Sequence, residues 1–345
     1  MKNIFSSKEG RTLVETHEPW CGAYEVKVRI SYTAVSFGTE SGGVKALSLK
    51  GVLLDKLKWQ KALETLRSNL NILEVIKKYR GIRKSYSSLG YSGVGEVIEI
   101  GSRVENDIQI GDMVHVGGEY ATHSSVVSVP QNFIFKLEGK EKPFLYALPV
   151  VASVPIHAIN HAKDLLISNV NVNVLVVGGG VIGTFAGLYA NKLGFDVCIV
   201  DLEREVLADS FFPRYKDQQI DLFVICTTSM NGVDSYIEKA NDGAVMSIVG
   251  ETPLEVSREL LEDKYMSIRF CKSFGYGRGN KSYEFGIGQI DTNSFPYSIR
   301  KNVNDAIELI SDLSDNEKFL DVVNLYKVDS EHIDHSKINI IDWRG

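Results

Sequence analysis

The sequence predicts an α/β protein in which mostly antiparallel strands are followed by a doubly wound parallel sheet. Between about residues 150 and 273, short apolar runs alternate with helical segments, as they do in a doubly wound sheet. A glycine-rich turn joins the first of these runs to its helix, Gly178-Gly179-Gly180-Val181-Ile182-Gly183. Residues 11–35 instead alternate apolar and polar side chains, which is typical of antiparallel strands.

The other elements follow in chain order. Leucines and isoleucines at helical spacing predict two helices over 44–80, and glycine turns between β-branched runs predict strands over 88–116. Tyr120 to Val129 is predicted as another strand, which Pro130 ends. A helix over 147–167 leads into the parallel sheet. Its predicted strands are 174–177, 197–200, 220–226, 243–249 and 267–273, and its predicted helices are 184–193, 203–209 and 232–240. A glycine- and tyrosine-rich loop, a helix and a strand follow at 274–299, 302–313 and 338–341.

The glycine-rich turn has the spacing of a dinucleotide-binding turn. Gly178 allows the tight turn, Gly180 lets the backbone approach a pyrophosphate, and Gly183 lets the helix pack closely on the strand. The first N–H groups of the helix would then hold the phosphates. The sequence therefore predicts a Rossmann unit in which Gly178 to Gly183 bind the cofactor, the alternative being an ordinary glycine-rich turn.

An acidic residue, Asp201, follows the second buried strand of this unit. A carboxylate about 20 residues beyond the glycines binds the ribose hydroxyls of adenosine in such sites. It would repel a 2′-phosphate, so Asp201 favours NAD over NADP, although the nearby Arg204 weakens that preference. The predicted cofactor is therefore NAD.

Composition narrows the class of protein. The chain has 345 residues, 44% hydrophobic and 24% charged, which is enough for two domains with cores of their own. No apolar run reaches membrane-spanning length, and the N-terminus lacks the apolar segment of a signal peptide. The four cysteines form no C-x-x-C pair and are expected to be buried free thiols. We therefore expect a cytoplasmic protein without a membrane partner.

Charge is concentrated in one segment. Residues 44–85 carry eleven Lys and Arg against three Asp and Glu, whereas the whole chain has a net charge of −6. A basic patch can steer an anionic ligand, and solvated helix faces are the alternative. A nucleic-acid partner is not expected, because the chain is acidic and lacks a motif of interleaved basic and aromatic residues.

Several motifs together resemble the medium-chain dehydrogenase/reductase superfamily over almost the whole chain. They are Gly38-Thr39-Glu40, Gly90, Gly95, Val97, Gly101, Gly111-Asp112-Met113-Val114 and the glycine-rich turn. The resemblance implies a GroES-like, mostly antiparallel catalytic domain over 1–150 with a helical insert at 44–85. It also implies a Rossmann domain over 151–290, a return to the catalytic domain over 291–345, and a homodimer formed through the edge strand near 267–273.

The zinc ligands of that superfamily are replaced in this chain. Phe37 stands where a Cys precedes the Gly-Thr pair, and Tyr91 and Ser92 stand for the His and Glu of a Gly-His-Glu motif. The third ligand would fall near Val150 and Val151. Zinc requires Cys, His or carboxylate ligands, so we expect a zinc-independent member with no metal.

A narrower resemblance concerns the substrate. Several stretches look like the dehydrogenase half of bacterial bi-domain oxidoreductases. They are the basic insert, Leu89-Gly90-Tyr91-Ser92, Tyr120-Ala121-Thr122-His123, Val129-Pro130-Gln131-Asn132, and Ser273-Phe274-Gly275-Tyr276-Gly277-Arg278 with Tyr283-Glu284. Those proteins often accompany surface-polysaccharide genes, which implies, by association, a small sugar-like or glycoconjugate substrate. The stretch 202–219 is short for the third strand and helix of a Rossmann sheet.

Without zinc, hydride transfer at a carbinol carbon requires side chains that handle the hydroxyl proton. Thr39 matches the proton-relay hydroxyl of the superfamily, and Tyr91 stands in a ligand position, so its phenol is expected to face the substrate. Glu40 could set the pKa values of both or act as the base. The alternatives are that Thr39 bonds backbone, that Tyr91 fills the space of the metal, and that Glu40 pairs with an Arg.

Three further residues are candidate substrate contacts. Lys272 and Arg278, beside the cofactor domain, could hold a phosphate or carboxylate, or lie in a solvated loop. His157 could contact substrate or pack between helices. The predicted function is an NAD-dependent, zinc-independent oxidoreductase that interconverts an alcohol and a ketone on a sugar-like, anionic substrate. The alternatives are an NADPH-dependent enone or quinone-type reductase and a non-catalytic nucleotide-binding subunit.

Overall fold

The computed structural model describes residues 1–7, 10–36, 87–105, 107–139, 141–168, 170–250, 252–330, 333–334 and 336–344. Four of the residues singled out above, Phe37, Gly38, Thr39 and Glu40, lie outside the described residues. The basic segment 44–85, with the two helices predicted over 44–80, also lies outside them.

The antiparallel half of the chain contains a small sheet and a seven-stranded sheet. The small sheet has the order β2-β1-β4, with strands Lys2–Ser7 (β1), Gly10–Glu15 (β2) and Ser87–Ser88 (β4). The larger sheet has the order β14-β15-β3-β5-β6-β8, and β7 also pairs with β3. Its strands are Glu25–Ala34 (β3), Ser92–Ile100 (β5), Met113–Gly117 (β6), Val126–Pro130 (β7), Ile134–Lys136 (β8), Val323–Lys327 (β14) and Ile338–Asp342 (β15).

The predicted alternation is present in β3, which pairs with β15, β5 and β7. Val26, Val28 and Ile30 are buried at every second position, so one face of β3 packs into the core. The predicted strand over 120–129 is wrong in its first part, because residues 118–121 form a turn in which the Ala121 N–H donates to the Gly118 carbonyl oxygen (3.0 Å). Only Val126–Pro130 forms the strand.

The parallel half is a five-stranded sheet with the order β10-β9-β11-β12-β13. All its pairs are parallel. The strands are Asn173–Val177 (β9), Asp196–Val200 (β10), Ile220–Ile225 (β11), Ala240–Val249 (β12) and Ser267–Cys271 (β13). Val174, Leu175 and Val176 are fully buried, as continuous apolar runs are in sheets covered on both faces.

The helices of the described residues are Pro149–Lys163 (α1), Val181–Lys192 (α2), Asp234–Ile237 (α3), Arg258–Asp263 (α4), Lys281–Glu284 (α5), Ile299–Leu313 (α6) and Glu317–Asp321 (α7). In α6, the Ser298 hydroxyl caps the first turn by accepting from the Lys301 N–H (3.3 Å). Val303, Ala306 and Ile310 bury one face of this helix. No helix in these ranges is both long enough and apolar enough to cross a membrane.

Two predicted helices are corrected. Residues 203–209 form no α-helix, and a single 3-10 turn, Leu207–Ser210, lies between β10 and β11. The Asp209 carboxylate accepts from the Val206 N–H (2.8 Å) and so caps this turn at its start. The Glu203 and Arg204 carbonyl oxygens, which a helix over 203–209 would use, accept instead from the Arg214 guanidinium. The helix predicted over 232–240 is reduced to the short α3, because β12 already begins at Ala240.

Helix α1 contributes to two hydrophobic clusters, one within the antiparallel half and one that spans both halves. Val150 belongs to the first cluster, whereas Val151 belongs to the second, which joins Val174 of β9 to Tyr32 and Val94 of the antiparallel half. Phe274 and Tyr283 pack in the core of the antiparallel half, although they precede residue 290. The predicted fold class is therefore confirmed, whereas the domain limits at 150 and 290 stay predictions.

Candidate functional site

The glycine-rich turn lies between β9 and α2 in a backbone conformation that demands glycine at two points. Gly178 has a φ of +101°, and a Cβ at this residue would lie 2.9 Å from the Cys226 carbonyl oxygen. A Cβ at Gly183 would lie 1.8 Å from the Gly178 carbonyl oxygen. The close contact of helix and strand that the fingerprint requires is therefore present in this turn.

The N-terminus of α2 leaves one side of the turn open. Gly180 is the N-cap residue and is exposed, and a Cβ added to it would meet nothing within 4 Å. Val181 and Ile182 follow it half-buried. Because the first N–H groups of an α-helix have no partner within the helix, Gly180 to Gly183 could hold a pyrophosphate.

Asp201 lies directly beside this turn. Its Oδ2 accepts from the Gly179 N–H (2.7 Å), and its Oδ1 accepts from the Glu203 N–H (3.0 Å). The turn and the acid are thus brought together although they are distant in sequence. A carboxylate oriented by two backbone N–H groups keeps further lone pairs for the hydroxyls of a ribose. These residues fit the adenosine half of a dinucleotide.

Tyr91 is the catalytic candidate that the structure describes. It is half-buried and packs against two hydrophobic clusters, one within the antiparallel half and one that spans both halves. The preceding Gly90 has a φ of +88°, and the His123 N–H donates to the Leu89 carbonyl oxygen (2.7 Å). The His123 Nδ1 in turn bonds the Thr33 hydroxyl (2.8 Å). The turn that carries Tyr91 is therefore held by buried hydrogen bonds.

The remaining positions where the superfamily has zinc ligands are occupied by packing residues. The Ser92 hydroxyl is buried and donates to the Ala147 carbonyl oxygen (2.6 Å), and Val150 and Val151 are buried. Within the described ranges, no three His, Cys, Asp or Glu side chains stand together as metal ligands. Zinc independence stays a prediction, since Phe37 lies outside those ranges.

His157 is placed between helices. It is buried on α1, its Nδ1 lies 3.2 Å from the Asn302 Nδ2 on α6, and its ring stacks on that of His161 with centroids 5.7 Å apart. Burial, together with the nearby His161, lowers the pKa of His157 to about 4, so the imidazole is neutral at pH 7. This placement agrees with the helix-packing alternative.

Arg278 is engaged by carboxylates. Its Nη1 lies 3.0 Å from the Glu284 Oε1, and its Nη2 lies 3.0 Å from the Glu119 Oε2. Glu284 is fully buried and also pairs with Lys281 (3.0 Å). Hydrogen bonds from Lys281 and Arg278 lower the pKa of Glu119. The ion pairs of Arg278 thus connect the segment after β13 to Glu119 of the antiparallel half. Lys272 is exposed, which agrees with the alternative that it lies in a solvated loop.

Glu284→Gln is expected to lower the free energy of unfolding by about 3 kcal/mol, because it leaves Arg278 and Lys281 without their buried counter-charge. Urea unfolding followed by circular dichroism measures this loss. The matched control is Glu262→Gln, which removes an exposed partner of Arg258 and should cost less than about 1 kcal/mol. Equal losses in the two variants would show that the buried cluster is not a special source of stability.

Sequence patterns missed the cluster of Glu119, Arg278 and Glu284, and they also missed Arg214. The Arg278 and Glu119 side chains are 159 positions apart in the chain, so no local spacing reports their contact. Arg214 follows a predicted helix that does not form, and its contacts depend on the path of the chain between β10 and β11.

No family model matches the chain, and no curated protein matches it. Solved structures do. Galactitol-1-phosphate dehydrogenase from Escherichia coli superposes with a TM-score of 0.65 at 15% identity, covering 95% of this chain and 93% of that one. The short chain alcohol dehydrogenase rspB from E. coli CFT073, complexed with NADH, gives a TM-score of 0.61 at 14% identity, covering 99% of each chain.

A third structure is CAD from Helicobacter pylori, complexed with NADP(H). It has a TM-score of 0.66 at 12% identity and covers 99% of this chain and 97% of its own. At sequence identities this low, structural similarity shows that the fold is shared and does not by itself show a shared activity. The superposition spans both halves, and the resemblance seen in the sequence motifs is thereby confirmed at the level of architecture. The chain therefore shares the two-part α/β fold of these solved dehydrogenase structures.

Proposed function

We propose that the chain is an NAD-dependent oxidoreductase that interconverts an alcohol and a ketone. The observation that carries the proposal is the contact between Asp201 and the Gly179 N–H, which brings a carboxylate able to accept from ribose hydroxyls close to an open helix N-terminus. The fold and the NADH in the rspB structure support it. The dinucleotide, when bound, would accept or supply the hydride.

The residues of this chain would have separate roles in that reaction. Gly180 to Gly183 would bind the pyrophosphate through backbone N–H groups, and Asp201 would orient the adenosine ribose. Tyr91, which packs against both hydrophobic clusters, would hold the hydroxyl proton of the substrate, with Thr39 and Glu40 as the proposed relay and base. A phenol and a carboxylate can move this proton without a metal, so zinc independence belongs to the proposal.

The substrate class that we propose is a small, sugar-like and anionic molecule. The excess of Lys and Arg over 44–85 would attract such a substrate by charge. Galactitol-1-phosphate dehydrogenase, a structural neighbour, is named for an anionic polyol. Lys272 stays a candidate for the anionic group, because its side chain is exposed.

We also propose that the protein is cytoplasmic and forms a homodimer. β13 is the last strand in the order of the parallel sheet, and its Phe270 is 62% exposed. A second copy could extend the sheet from this strand by backbone hydrogen bonds. No nucleic-acid or membrane partner is proposed.

The cofactor preference can be measured by energy transfer from tryptophan during titration with NADH and with NADPH. We expect NADH to bind at least about tenfold more tightly, because Asp201 would repel a 2′-phosphate. Asp201→Asn should reduce the ratio of NADH affinity to NADPH affinity, because it should weaken the binding of NADH and leave that of NADPH unchanged. A preference of the wild-type protein for NADPH would favour the enone reductase, and binding of neither nucleotide would favour a non-catalytic subunit.

A further inference from the structure

The chain between β10 and β11 is shorter than a strand–helix crossover, and Arg214 organises it. In place of a third strand, residues 213–215 make a single parallel rung with β10. The Ile199 N–H donates to the Pro213 carbonyl oxygen (3.0 Å), and the Tyr215 N–H donates to the Ile199 carbonyl oxygen (2.8 Å). This rung fixes the backbone of Arg214 beside the end of β10.

From that position the Arg214 guanidinium donates hydrogen bonds to backbone carbonyl oxygens of the turn that begins at Asp201. Its Nη2 donates to the carbonyl oxygens of Glu203 (3.1 Å) and Arg204 (3.2 Å), and its Nη1 to that of Asp201 (3.4 Å). The same turn supplies the Glu203 N–H that orients the Asp201 carboxylate. Arg214 therefore acts on Asp201 through the backbone.

The guanidinium also braces the glycine-rich turn through Asp209. Its Nε and Nη2 make a bidentate pair with that carboxylate (2.5 and 2.6 Å). Asp209 accepts from the Val206 N–H, and a Val206 methyl carbon fills the place of a Cβ on Gly179 (2.2 Å). The Ala208 N–H donates to the Gly179 carbonyl oxygen (2.9 Å). Gly179, whose N–H donates to Asp201, is therefore held in place by Val206 and Ala208 of the segment between β10 and β11.

We infer that Arg214 is a positioning residue for the adenosine half of the cofactor. It holds residues 201–204 and, through Asp209, the glycine-rich turn, so that the Asp201 carboxylate is set for a ribose with two free hydroxyls. A bidentate pair with additional carbonyl contacts uses the guanidinium fork, which lysine cannot reproduce. This inference rests on the proposed function.

The test compares two halves of the cofactor by calorimetry. Arg214→Gln should weaken ADP-ribose by about tenfold, because it disorders the turn of Asp201, and should leave reduced nicotinamide mononucleotide within twofold of the wild-type affinity. Arg258→Gln, which removes an exposed ion pair elsewhere in the parallel half, is the control and should change neither. Arg214→Lys should lose ADP-ribose affinity in the same direction.

The outcomes separate this inference from the proposed function. If wild-type protein binds neither ADP-ribose nor NADH, both the proposed function and the inference about Arg214 are wrong. If wild-type protein binds both, unchanged ADP-ribose affinity in folded Arg214→Gln overturns the inference alone. An equal loss for the two half-cofactors also overturns it, because it reports general destabilisation. If Arg214→Gln does not fold, the same criteria apply to Arg214→Lys.

Discussion

Gly183→Ala should abolish NADH binding and destabilise the parallel half. The added methyl carbon would lie 1.8 Å from the Gly178 carbonyl oxygen, so the first turn of α2 would have to move away from the end of β9. Overpacking of this kind costs about 3 kcal/mol where backbone rather than a flexible side chain is struck. Thermal unfolding and NADH titration of the same preparation measure both effects.

Gly180→Ala is the matched control for that variant. Gly180 has a φ of −73°, which alanine adopts readily, and a methyl group there would meet nothing within 4 Å. Its free energy of unfolding should therefore stay within about 0.5 kcal/mol of the wild-type value. If the open side of the turn is the pyrophosphate site, the same methyl group should still weaken NADH.

The two variants together locate the cofactor. A stable Gly180→Ala protein with undiminished NADH affinity would place the phosphates somewhere other than the N-terminus of α2. A Gly183→Ala protein that keeps both stability and binding would show that the strand–helix contact is adjustable. The first result would contradict the proposed pyrophosphate site, whereas the second would show only that the turn tolerates the added methyl group.

Tyr91→Phe should reduce turnover by about 10²-fold to 10⁴-fold, the range that a positioned acid–base group contributes. The phenyl ring keeps the packing between the two cores, and the variant loses only the hydroxyl. NADH affinity should therefore change little, because the glycine-rich turn and Asp201 remain intact. Steady-state kinetics on a panel of sugar alcohols and their phosphates, combined with NADH titration, separates the two effects.

The control for this variant is Tyr236→Phe. Tyr236 is also half-buried, but it lies on α3 and packs edge-on against Tyr215 in the parallel half. Its loss of a hydroxyl should leave turnover unchanged. If Tyr91→Phe is equally silent while the wild-type enzyme is active, Tyr91 only fills the space between the cores, and the proton must pass through another group.

Local spacing was sufficient to predict the elements that local physics controls. The alternation over β3, the apolar run of β9 and the glycines before α2 each set a backbone conformation within a few residues. The fold class followed from their order along the chain. The glycine-rich turn and Asp201 could be paired in advance because a βαβ unit brings them to the same sheet edge.

Other features depended on contacts between distant segments. Asp209 and Arg214 replace a predicted helix with a braced turn, because a bidentate ion pair and three carbonyl contacts outweigh a weak helical pattern. β14 was not predicted, and it forms by pairing in parallel with β15. Arg278 has the charge of a substrate-binding residue, but the fully buried Glu284 and the distant Glu119 neutralise it.

The sequence by itself determined the two-part fold, the glycine-rich turn and the acid beside it, since glycine sterics and apolar periodicity act over a few residues. The tertiary structure alone decided which charged side chains are paired, how the crossover after β10 folds back on Gly179, and that Tyr91 lies between two cores. Those outcomes depend on which surfaces meet when distant segments pack, and these contacts cannot be predicted from a pattern of neighbouring residues.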